Sequence, residues 1–169
     1  MRACRLLLAF ACCAFGAEKP TAPSPALTPA EVIDAQLWAL QHADEPQPDA
    51  GIRTAFRFAS PANQQSTGPV ERFIEMLRGE AYAPMLNYRS DVRSDVTVVG
   101  DAARQKVTLI TADGKQVNYV FILSRQSAPP CEGCWMTDAV FQVERPVDGV
   151  RIASQPAWGL GHAMLARPR

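Results

Sequence analysis

The chain reads as an α+β domain, with three short N-terminal helices packed on a curved antiparallel sheet of about four strands. Two observations predict this. From Thr28 to Gly79 apolar side chains recur at i, i+3 and i+4, the helical period. From Asn87 onward the period becomes two, and Gly-containing joints separate the apolar runs. A third observation sets the limits. Residues 17–27 are Pro-rich and residues 146–169 hold no periodic run, which leaves a domain over 28–145 between a spacer and a mobile tail.

The first helix opens on Thr28-Pro29-Ala30-Glu31, a cap, a proline suited to the first helical position and a glutamate placed to reach back. Val32, Ile33, Leu37 and Leu40 mark its apolar face, which Gln36 interrupts; Asp44 to Asp49 ends it. A second helix carries Ile52, Ala55, Phe56 and Ala59, and Ser60-Pro61 stops it. Gln64-Gln65-Ser66 reads as loop. Pro69 opens a third helix with Val70, Phe73, Ile74 and Leu77, closed by Arg78-Gly79. Strand-like runs follow at 88–99, 104–112, 115–125 and 135–144, joined at Gly100-Asp101, at Asp113-Gly114 and by the loop 126–133. In the third run Val117, Tyr119, Phe121 and Leu123 form the apolar face. Strict alternation in the fourth sets Asp138 with Met136, Val140 and Gln142, and makes Trp135, Thr137, Ala139, Phe141 and Val143 the more buried side.

Residues 1–16 have the three parts of a secretory leader. Arg2 and Arg5 give a basic start, Leu6 to Phe15 an uncharged run, and Ala14-Phe15-Gly16 the small residues that a signal peptidase reads. The run is too short to span a hydrocarbon layer of roughly 30 Å, so no stable membrane insertion is expected. Phe10 spoils a lipobox before Cys12, so plain export to a bacterial periplasm is expected over lipidation. Removing Arg2 and Arg5 from seventeen basic residues leaves fifteen against seventeen acidic ones. With no concentrated Lys/Arg run, a nucleic-acid partner is not expected. Cys4, Cys12 and Cys13 leave with the leader, so only Cys131 and Cys134 remain.

Four stretches resemble a bacterial and plant-plastid family known only as a domain of unknown function. They are Gly51-Ile52-Arg53-Thr54-Ala55-Phe56-Arg57-Phe58-Ala59-Ser60-Pro61-Ala62-Asn63, Thr67-Gly68-Pro69-Val70-Glu71-Arg72-Phe73, Tyr82-Ala83-Pro84 and Cys134-Trp135-Met136-Thr137-Asp138. That family is similar to nuclear transport factor 2-like proteins, and the resemblance covers roughly 29–144. It implies a cone in which helices and a curved sheet enclose a pocket, and it implies no reaction. Sheet faces of that fold often pair, so it also implies a homodimer as one assembly. The superfamily holds enzymes, carriers and adaptors, which makes the fold a weak guide to activity.

Catalytic members of that fold place a carboxylate, or a His with an Asp, in an apolar pocket beside a Tyr. The ingredients here are Asp138, Tyr82, Tyr88, Tyr119 and His42. A desolvated Asp138 would serve as a base; a strand carboxylate satisfied by an Arg or by water is the plainer reading. His42 sits where a cation suits a helix C-terminus. Hydrolase, zinc and phosphate-loop motifs are not found, and no cofactor or metal is implied.

Cys131-Glu132-Gly133-Cys134 admits three readings. A redox module needs a helix starting at Cys131 to stabilise its thiolate, yet Pro129-Pro130 precede it and a strand pattern follows. A metal site needs two further ligands. The remaining reading is a structural disulfide formed in an oxidising compartment. Arg53 and Arg57, four apart, with Arg72 nearby by fold analogy, could meet an anion, although a solvated, ion-paired face is the usual role. The sequence is therefore read as an exported, non-catalytic domain that binds a small molecule or a protein partner. The alternatives are a pocket enzyme using Asp138 with a Tyr, and a thiol–disulfide module.

Overall fold

The computed structural model describes residues 19–143. The leader, residues 1–16, and the tail, residues 146–169, lie outside the described residues. The chain is α+β, four helices and one open antiparallel sheet of five strands.

Helix α1, Pro29–Gln41, starts where its cap predicts. The Thr28 hydroxyl accepts from the Glu31 amide, and the Glu31 carboxylate accepts from the Thr28 amide at 2.8 Å. Val32, Ile33, Leu37 and Leu40 are buried, and so are Ala35, Gln36 and Ala39 on the other flank, because α1 lies between α2 and the sheet. Helix α2, Ala50–Arg57, crosses so close that a Cβ at Gly51 would collide with the Ala39 carbonyl oxygen. Only glycine fits that crossing.

The three expected helices are four. Helix α2 stops at Arg57, so Ala59, expected on its apolar face, lies beyond it in a bridge to Thr137, and Ser60-Pro61 opens α3, Pro61–Thr67. The Ser60 hydroxyl accepts from the Asn63 amide and Pro61 occupies the first turn, so the dipeptide expected as a stop is a helix start. Gln64, Gln65 and Ser66 are thus helical and not loop. The Gln64 amide group donates to the carbonyls of Phe56 and Ala59 at 3.0 Å, which satisfies the end of α2. Helix α4, Val70–Arg78, buries Phe73, Ile74 and Leu77 as its spacing predicts, and a 3-10 turn, Ala83–Met85, leads into the sheet.

The strands are β1 (Ser90–Arg93), β2 (Thr97–Val99), β3 (Ala102–Ile110), β4 (Gln116–Arg125) and β5 (Trp135–Val143). The order is β1-β3-β4-β5, with β2 also paired to β3. The run expected at 88–99 is two strands because it breaks at 94–96, leaving five strands where about four were expected. The turn at Asp113-Gly114 joins β3 to β4, with Gly114 at φ +85°.

Ala103, Gln105, Val107 and Leu109 of β3 and Tyr119, Phe121 and Leu123 of β4 are buried on the face beneath the helices. Strict alternation fails in β5. Leu123 pairs with Thr137 and Ile122 with Ala139, so Asp138 is an extra residue in a β-bulge. Beyond it the faces exchange. Val140, paired with Phe121, and Gln142, paired with Tyr119, join the inner face, while Ala139, Phe141 and Val143 take the outer one. The sequence-based division of β5 is therefore corrected from Asp138 onward.

Residues 19–27 run against the domain as an extended segment. Lys19 pairs with Asp34 of α1, Arg57 donates to the Thr21 carbonyl at 3.5 Å, and Pro25 lies against Gly133.

Candidate functional site

The inner face is a core. Phe58, Phe73, Tyr119, Phe121, Met85, Leu37, Leu77, Leu109 and Leu123 are each less than 2% exposed. Its buried polar groups are amides and hydroxyls joined in one network. Thr137 donates from its hydroxyl to the Gln36 side-chain oxygen at 2.6 Å, and Gln36 donates to the Ala55 carbonyl at 3.1 Å. Asn63 donates to the Thr137 carbonyl at 2.9 Å and accepts from the Thr67 hydroxyl. The backbone joins in: Thr137 donates to the Phe58 carbonyl and Ser60 donates to the Thr137 carbonyl. A short parallel bridge between Ala59 and Thr137 thus seals the edge of β5 beside the bulge. Gln36, which interrupts the apolar face of α1 in the sequence, ties α1 to α2 and β5.

A second cluster links α1 to β1. Arg93 donates to Asp91 at 2.5 Å and to Asp34 at 2.8 Å, and the Tyr88 hydroxyl donates to the Leu37 carbonyl at 3.1 Å. Burial pushes Asp34 up, but hydrogen bonds from Lys19 and Arg93 outweigh it and hold the carboxyl below its usual range. These ion pairs join elements of the fold.

The sequence-derived candidates do not converge. Asp138 is half-buried at the bulge and has no side-chain hydrogen bond or ion pair among the described residues. Tyr82 lies in the core, its ring 6.4 Å from that of Tyr119, and burial pushes its hydroxyl up to about 12. Burial likewise raises Tyr119, which donates to the Ala81 carbonyl at 3.0 Å, and Tyr88. His42 is the C-cap of α1, stacked on Trp38 with centroids 4.5 Å apart. Arg53 pairs with Glu71 at 3.3 Å, Arg57 holds Thr21, and Arg72 is exposed. Cys131 and Cys134 are disulfide-bonded in a loop, Cys131 half-exposed and Cys134 buried, and a strand, not a helix, follows them. Groups of three or more metal-ligating side chains are absent among the described residues.

The outer face of β1–β4 carries a different pattern. Along β3 the outward positions are Ala102, Arg104, Lys106 and Thr108. Val99 pairs with Ala102 and Val92 with Thr108, and these two valines are 74% and 68% exposed. Arg104 pairs with Ile122 and Lys106 with Val120 on β4. Both cations are exposed, and neither has an ion pair or side-chain hydrogen bond among the described residues. The register places no carboxylate on this face of β1–β4. Sequence reasoning passed over these positions, although alternation along 102–110 already sets Arg104 and Lys106 on the polar side.

A family model described as Domain of unknown function (DUF4864) matches residues 25–150. The chain belongs to that family. Every described strand and helix of the DUF4864 domain falls inside the match, together with residues 25–28, which bring in the α1 cap. No curated protein and no solved structure matches the chain. No helix among the described residues is long and apolar enough to cross a membrane.

Proposed function

We propose that this DUF4864 domain is an exported, non-catalytic binding module of nuclear transport factor 2-like build. It engages a protein partner through the outer face of its sheet, in the bacterial periplasm. One observation carries the reading: the inner face is filled by large apolar side chains, whereas the outer face leaves Val92 and Val99 in solvent beside unpaired cations. The groups a pocket enzyme would use do not converge. Tyr82 lies in the core with its ring beside that of Tyr119, and Asp138 lies at a strand bulge on the sheet edge. The leader at residues 1–16 supports export, and the Cys131–Cys134 disulfide suits an oxidising compartment. The helices-on-sheet layering supports the nuclear transport factor 2-like build.

In-cell chemical cross-linking tests the reading. The wild-type chain should give a discrete higher-mass adduct that Val92→Glu/Val99→Glu loses and Asp138→Asn keeps. Loss of the adduct in Asp138→Asn, with the valine variant unaffected, would overturn it.

A further inference from the structure

We infer that the partner surface is acidic. It carries two carboxylates spaced like alternate residues of a strand and bracketed by apolar side chains. The inference rests on the outer-face reading and adds the partner's chemistry. Arg104 and Lys106 are two residues apart on one face of β3, hence about 7 Å apart along the strand. Val99 on β2 and Val92 on β1 lie beside Ala102 and Thr108, the β3 residues at either end of the cation pair; Thr97 pairs with Arg104 on that side, and Ile122 and Val120 lie beside the pair on β4. The array reads apolar, cation, cation, apolar, with no carboxylate of β1–β4 on the same face. Its complement is apolar, anion, anion, apolar.

Charge argues against two nearer occupants. A second copy docked by this patch on itself would bring four cations together with no counter-charge from β1–β4. Residues 144–169 of this chain carry Arg145, Arg151, Arg167 and Arg169 against Glu144 and Asp148, so that segment is also mismatched. Two cations are too few for a polyanion, which needs a concentrated basic patch.

The experiment is a heteronuclear NMR titration of the full chain with two synthetic extended peptides. One carries glutamates at two alternate positions flanked by valines at the next alternate positions; the other has lysines in place of the glutamates. The glutamate peptide should shift the amides of β1–β3, an effect that added salt weakens and that Arg104→Glu/Lys106→Glu weakens about tenfold or more. Arg104→Gln/Lys106→Gln should fall between. Equal shifts by both peptides would overturn the acidic assignment and leave the face itself as the contact surface. Absence of shifts on β1–β3 from either peptide would overturn the inference, with the cross-linking experiment deciding the broader reading separately. A second copy seated on the patch by sedimentation, or residues 144–169 seated there by NOE contacts, would overturn it as well.

Discussion

Gln36 shows how one residue can hold three elements together. Its side chain bridges the Ala55 carbonyl and the Thr137 hydroxyl, inside a region where water cannot replace either partner. Gln36→Leu should cost about 2–3 kcal/mol in urea unfolding, because it leaves a buried hydroxyl and a buried carbonyl short of partners. Gln36→Leu/Thr137→Val should recover part of that loss, since removing both polar partners is far less costly than removing one. Gln105 is the opposite case. It is 7% exposed, its amide donates to the Ser94 carbonyl at 2.7 Å, and its side-chain oxygen has no partner. Gln105→Leu should therefore be neutral, or stabilise by up to about 1 kcal/mol, in the same experiment. Asp34 supplies the pH dependence. Its folded-state pKa is depressed, so its contribution is present above the unfolded value near 4 and is lost as pH falls through the folded value. Thermal stability should drop below about pH 4, and Asp34→Asn should flatten that limb of the profile.

At the scale of elements, legibility followed how local the determinant is. The α1 start was readable because Thr28, Pro29 and Glu31 act within one turn. The β3–β4 hairpin was readable because Asp113-Gly114 suits a tight turn. Ser60-Pro61 reads as a stop in the sequence, yet α2 ends before it at Arg57 and these two residues cap and open α3. The bulge at Asp138 had no local signature. It arises where the Ala59–Thr137 bridge and the Thr137–Gln36 bond, formed with residues 78 or more positions away, hold β5 in place. Hence alternation places Trp135 and Thr137 on the inner face, misses that Met136 on the other side is buried as well, and fails beyond Asp138. The Cys131–Cys134 disulfide closes a four-residue ring on one loop, so Cys131→Ser/Cys134→Ser should cost about 2 kcal/mol or less in unfolding free energy. Dithiol-exchange activity in the purified protein would contradict the structural role of that bond.

For the whole molecule, the division of labour is between the two faces of one sheet. The inner face and four helices make a core whose buried polar groups are almost all hydrogen-bonded. The outer face of β1–β3 keeps two valines and two cations in solvent. Replacing either valine by glutamate should change stability by no more than about 0.5 kcal/mol, as for an ordinary surface position. The most direct measurement is site-specific photo-cross-linking in cells, with the photoreactive residue at position 92 on the outer face or at position 72 on the exposed side of α4. An adduct to a second protein from position 92, and none from position 72, is the expected result. Adducts from position 72 alone would place the contact on the helices and contradict the assignment of the sheet face.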